Sequence, residues 1–217
     1  MAGITTAFLT SHKVAALSAG FCFNAPITFT ATGTSTVTWT SLSALTGLAV
    51  GMVLSGTNVA AGTVIASIDS ATQITVSKAS TGALGTVTAT GDAFKMALIK
   101  HTPTGTYNAA TTKYADVTGN SDEVSGTGYS AGGTALTNVT PTSSGTTALT
   151  DFNPDPSWTT ATIDADGCMI YDTTQRGPTA NAATSVHDFG GEQKVTAGTF
   201  TVVLPTADSS NAILRIA

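Results

Sequence analysis

Between Asn24 and Gly91 the sequence carries only two charged residues, Asp69 and Lys78, and its apolar residues alternate with threonine. Ile27-Thr-Phe29-Thr and Val37-Thr-Trp39-Thr repeat every second residue, the spacing that puts one side chain of each pair on each face of a strand. β-branched residues suit a pleated sheet. Threonine accounts for 44 of the 217 residues and charged side chains for 10%, against about 25% in an ordinary soluble domain. Apolar content is 41%, enough to build a core. The chain is therefore expected to be mostly β.

Strand candidates follow along the chain. Val64–Ile68 and Gln73–Ser77 are predicted to form a hairpin around Asp69–Thr72, with Thr86–Thr90 closing a compact module. Phe94–Ile99 is the next strand, and Thr134–Thr137 follows a glycine-dense connection from Glu123 to Gly133. Asn153-Pro-Asp-Pro156 is a stiff corner. Trp158–Ile163 and Cys168–Tyr171 are predicted to flank a turn at Asp164-Ala-Asp-Gly167. Ser185–Phe189 and Thr199–Leu204 are predicted as a last pair joined through Gly190-Gly191 and Ala197-Gly198. Residues 3–21 are expected to be helical, because Phe8, Leu9, Ala16, Leu17 and Phe21 can share one side and Gly20 can end the helix. The expected architecture is two antiparallel β-sandwich or barrel-like modules preceded by one short N-terminal helix. Its divisions are 1–21 helix, 22–91 Gly/Thr-rich β-module and 92–217 β-rich anchoring domain.

The net charge of −5 and the absence of a Lys/Arg cluster argue against nucleic-acid binding. No run is long enough for a transmembrane helix, and no membrane association is expected. Residues 1–20 lack the pattern of a signal peptide. Cys22 and Cys168 are expected to be buried, unpaired thiols.

Catalytic patterns are weak. His187-Asp188 are adjacent, so on a strand they point to opposite faces and cannot form one relay. His12, His101 and His187 lack metal-ligand spacing. Asp164 and Asp166 are the carboxylate pair that a glycan hydrolase would need, but aspartate in a turn usually serves local hydrogen bonding. Asp164-x-Asp166-Gly167 also lacks the later ligands of a calcium loop. Asp151 and Asp155 belong to the proline corner. Gly126-Thr-Gly128 and Gly132-Gly133 do not match a phosphate cradle and are read as chain reversals. Asn138-Val-Thr140 matches a glycosylation acceptor, a pattern common by chance. Trp39 and Trp158 are read as core anchors. No catalytic, cofactor-binding or metal-binding residue is assigned, and no enzymatic activity is expected.

Phe94-Lys-Met-Ala-Leu98, Tyr114, Glu123-Val-Ser-Gly-Thr-Gly-Tyr129-Ser-Ala-Gly-Gly133, Trp158, Ile170-Tyr171 and Val186-His-Asp-Phe-Gly-Gly191 together resemble small structural proteins of tailed bacteriophages. In that family an N-terminal helix runs almost directly into the Phe-Lys strand. Here residues 22–91 intervene. Gly51-Met-Val-Leu-Ser-Gly56-Thr, Ala61-Gly-Thr-Val-Ile65 and Gln73-Ile-Thr-Val-Ser77 resemble a Gly/Thr-rich β-module of phage fibre and other virion proteins. The resemblance implies a non-enzymatic virion protein, assembled in the host cytoplasm, of the capsid decoration or cement type. Its implied partners are the major capsid protein or another virion protein and further copies of itself, with a trimer favoured, plus a weak host-surface or glycan contact. The alternative is a tail, adaptor or fibre-tip protein that binds the host surface.

Overall fold

The computed structural model describes residues 3–9, 21–174 and 179–216, which are mostly β-strand in antiparallel sheets, none of them closed. The chain divides into two compact units. One comprises residues 21–92 and 138–142, and the other comprises residues 1–20, 93–137 and 143–217.

The strands, in chain order, are β1 (Gly3–Ile4), β2 (Ala7–Phe8), β3 (Ile27–Thr30), β4 (Thr38–Trp39), β5 (Val53–Gly56), β6 (Thr63–Ser70), β7 (Gln73–Val76), β8 (Thr86–Thr90) and β9 (Phe94–Lys100). They continue as β10 (Thr106–Tyr107), β11 (Thr134–Leu136), β12 (Thr142–Ser144), β13 (Thr147–Thr150), β14 (Ser157–Asp172), β15 (Ala183–Thr201) and β16 (Leu214–Ile216). A single helical turn, α1 (Ala115–Gly119), is the helix among the described residues.

In the unit of residues 21–92 the threonine alternation does what its period requires. The sheet runs β3-β8-β5-β6-β7-β4 with every neighbour antiparallel. Phe29, Trp39, Leu54, Ile65, Ile74, Val76, Val87 and Ala89 turn inward to one core. Thr28 and Thr88 face each other outside, with hydroxyls 3.4 Å apart. The segments just after β3 and β4 meet in one bridge, where Thr32 N donates to Thr40 O at 2.8 Å and Thr40 N to Thr32 O at 2.9 Å. The sheet thus remains open as a ladder, but its two outermost strands touch at one point. The ends of the unit also meet. Cys22 N donates to Asp92 Oδ2 at 2.6 Å and Asp92 N donates to Cys22 O at 2.7 Å.

In the other unit the main sheet runs β11-β9-β14-β15-β2, accompanied by the pair β1-β10 and the sheet β12-β13-β16. Met96, Ala97, Leu98 and Ile99 of β9 are all fully buried, which explains why this strand reads as an unbroken apolar run.

Three expectations are corrected here. Asp164–Gly167 is not a hairpin turn, and Gly190-Gly191 does not connect two strands. β14 and β15 are each continuous and pair with one another from Ser157–Thr201 to Tyr171–Ala183. The Asp and Gly residues read as turn formers serve as bulges, which interrupt the register without reversing the chain. The predicted N-terminal helix is also not helical where it is described. β1 lies parallel to β10 and β2 antiparallel to β15, while Leu9 packs with Ile99, Tyr107, Met169 and Val186. Pairing with two partner strands and burial of Leu9 outweigh a weak local helix preference. Residues 10–20 of that prediction lie outside the described residues.

Candidate functional site

Asp122 and Glu123 follow α1 and point their carboxylates into different networks. Asp122 is fully buried. It accepts hydrogen bonds from Thr104 N at 2.9 Å, Thr104 Oγ1 at 2.9 Å, Gly105 N at 2.7 Å and Tyr107 OH at 2.6 Å, and Lys100 Nζ lies 3.1 Å away. Burial alone would raise its pKa, but the bonds from Thr104, Tyr107, Gly105 and Lys100 outweigh it and hold the carboxyl well below the usual range. Glu123 accepts from Tyr129 OH at 2.8 Å, from Gly132 N at 2.6 Å and from Tyr114 OH. Tyr129 OH in turn accepts from Leu98 N at 3.0 Å. Tyr114 stacks on Tyr171 with centroids 4.5 Å apart, and Tyr129 packs on Trp158 at 5.9 Å. Burial first, and then the Glu123 carboxylate, pushes the Tyr114 and Tyr129 pKa values up; Tyr129 also feels the opposing Leu98 bond. Both carboxylates hold chain segments together through these hydrogen bonds.

The glycines of this region are close-approach points. A Cβ at Gly133, where φ is +69°, would overlap the Met96 carbonyl, so only glycine lets β11 approach β9 there. Thr162 N donates to Thr127 O at 2.9 Å, so the Gly126–Gly128 segment lies along β14.

Asp164 and Asp166 stand within β14 rather than in a turn. Asp164 Oδ2 meets Lys194 Nζ at 2.9 Å. Asp166 Oδ1 lies 2.7 Å from His101 Nδ1, and its Oδ2 accepts from Thr102 N at 2.9 Å. Glu192 joins the group 3.4 Å from Lys194 and 4.0 Å from His101. Lys194 and the His101 ring thus sit among three carboxylates on the outside of β14 and β15.

His187 does not contact Asp188 through its ring. Its Nε2 lies 2.8 Å from Ser185 Oγ, while Asp188 Oδ1 accepts from Gly190 N at 2.9 Å. The Ser-x-His spacing on a strand is a period-2 signal for this pair. Ser185, however, is 1% exposed. Burial pushes the His187 pKa down to about 4 and the Cys168 pKa up to about 12, so both are neutral near pH 7. His187 and Cys168 line an open cavity of about 600 Å³, with Phe189, Lys194, Phe200 and Leu204 among its other walls.

Comparisons with family models, curated proteins and solved structures return no match to this chain.

The remaining sequence candidates are dispersed. His12 lies outside the described residues. Asn138 Nδ2 donates to Asp92 O at 2.8 Å, and Thr140 Oγ1 accepts from Ala25 N at 3.2 Å, so both polar ends of the glycosylation-like triplet are engaged. Asp155 Oδ1 accepts from Leu204 N at 3.0 Å. Trp39 and Trp158 are buried, as are Cys22 and Cys168. Among the described residues no group of three or more His, Cys, Asp and Glu side chains is arranged to hold a metal ion.

Proposed function

We propose that this chain is a non-enzymatic structural protein of a tailed-bacteriophage virion, of the decoration or cement type. In this role it docks on the major capsid protein, associates with further copies of itself and adds buried area between shell subunits. The observation that carries the reading is the convergence of the landmark residues behind the phage resemblance. Phe94–Leu98, Tyr114, Glu123, Tyr129, Trp158 and Tyr171 are far apart in sequence, yet they share one packed and hydrogen-bonded framework. Residues that hold a framework are those that a fold-level likeness should share.

Two further features support the reading. The best-formed polar networks are consumed in structure, and the unit of residues 21–92 offers threonine hydroxyls on a nearly uncharged sheet. Such a surface can meet a neighbour, or weakly a host glycan, at little ion-pair desolvation cost. Within this proposal the two units are sandwich or barrel-like modules, and the Thr32–Thr40 bridge favours a barrel-like curl for the first.

Imaging of virions with copy counting tests the proposal. Tens to hundreds of copies on the head shell are expected. A few copies confined to the tail would overturn it in favour of a tail, adaptor or fibre-tip role, and absence from the particle would overturn both.

A further inference from the structure

Two irregularities of the chain meet at His101, which directly follows β9. Across from it β14 bulges: Ala165 pairs with Lys100 and Gly167 with Ile99, leaving Asp166 without a partner residue in β9. On the opposite edge of β14 the register steps from Ala165–Gln193 to Gly167–Asp188, so Phe189 to Glu192 are looped out of the ladder. Gly190 and Gly191, with φ of +78° and +140°, make that excursion. The imidazole bridges the two bulges, with Nδ1 2.7 Å from Asp166 Oδ1 and Nε2 4.0 Å from Glu192 Oε2. The charged groups around it are Asp166 and Asp164 from β14 and Glu192 from β15. Lys194 of β15 holds Asp164 and Glu192 in turn.

We infer that His101 is a pH-sensitive clamp: protonated, it fastens the looped-out Phe189–Glu192 segment of β15 to the Asp166 bulge of β14, and neutral, it lets that segment go. The two ring contacts are unequal, and this gives the switch its direction. Asp166 is fixed in place by the Thr102 amide and remains an acceptor, so Nδ1 keeps its proton for it. Nε2 is then the nitrogen that deprotonates as pH rises. Its exposed lone pair would face the Glu192 carboxylate, and an attraction becomes a repulsion. Glu192 is left to Lys194 alone. The released segment carries Phe189, whose ring lies 6.4 Å from that of Phe200 and forms part of the cavity wall. That wall therefore loosens together with Glu192.

The sign follows from the surroundings of the ring. The Asp166 hydrogen bond outweighs slight burial, and with the nearby charges of Asp166, Glu192 and Asp164 it raises the His101 pKa above 6.5. The clamp is closed below 6.5 and opens as pH rises through the raised value.

A two-dimensional NMR titration of the full chain from about pH 5 to about pH 9 tests this. The amides of Gly190, Gly191 and Glu192 are expected to shift with the same midpoint as the His101 ring, while His187 stays neutral throughout. Glu192→Gln, an exposed substitution that leaves the strands intact, should move the His101 midpoint to lower pH and abolish the shared amide transition. His101→Gln should abolish that transition as well. Wild-type amides at 190–192 that ignore the His101 midpoint would overturn the inference, as would an unchanged His101 midpoint in Glu192→Gln. Persistence of the transition in His101→Gln would overturn it too, because another group would then drive the movement. None of these outcomes depends on a place in a virion.

Discussion

Asp122 and Asp151 are both buried carboxyls, and their surroundings drive them in opposite directions. Asp122 is surrounded by donors, and its depressed pKa makes it a source of stability. That contribution is complete above the ordinary value of 3.8 and is lost as pH falls through the folded value. Asp122→Asn should cost about 3 kcal/mol at neutral pH, because a buried cluster of donors loses its charge. Urea unfolding of the variant should also show a weaker loss of stability in acid than the wild type. Asp151 is 4% exposed and accepts the Phe152 amide at 2.8 Å, and burial raises its pKa against the pull of its backbone hydrogen bonds. Its contribution is complete below 3.8 and is lost as pH rises through the raised value. Asp151→Asn should therefore reduce the stability lost between about pH 4 and about pH 8 by about 1 kcal/mol. An unchanged pH slope in matched urea titrations would count against this assignment. Neither role was legible in the sequence. Asp122 depends on Lys100, Thr104 and Tyr107 closing around it, and Asp151 resembles any other acid beside a proline corner.

The strands divide by what sets their limits. β3, β8 and β9, and the β6–β7 hairpin, were readable because alternation or an unbroken apolar run marks them from within. Asp-x-Asp-Gly and Gly-Gly have the composition of a turn, so sequence alone divides β14 and β15 each in two. Only the partner strands determine whether such a segment turns or bulges. The Gly126–Gly133 segment is constrained in space: Gly133 lies against the Met96 carbonyl and Thr127 O accepts from Thr162 N. Gly133→Ala combines a left-handed backbone with overlap on the Met96 carbonyl. It should destabilise the protein by about 2–4 kcal/mol. Hydrogen exchange should report the loss first at Thr134–Leu136, where β11 pairs with β9. Retention of full protection there would show that β11 tolerates a wider approach.

At the scale of the molecule, the change in charge density near residue 92 was the most informative signal in the sequence, and it coincides with the limit of a compact unit. The sequence did not reveal that residues 138–142 return to that unit. Five residues carry no periodicity, and only hydrogen bonds such as Asn138 to Asp92 place them there. Separate cores have a direct consequence. Trp39 is fully buried and its Nε1 donates to Thr36 O at 3.1 Å. Trp39→Ala should cost about 3–5 kcal/mol. Exchange-detected mass spectrometry should show that cost within residues 21–92, with β9 and β14 keeping their protection. Equal loss in both units would mean that they unfold as one.

The meeting of Cys22 and Asp92 also governs how the chain bears a pull. Tension that arrives along the backbone at Phe21 and leaves at Ala93 has a short path, through the two hydrogen bonds that join these residues. While that latch holds, such a load would pass through it rather than through the six-stranded sheet. The sheet is stretched only after the latch parts, so residues 21–92 act as a reserve of length, paid out late under strain.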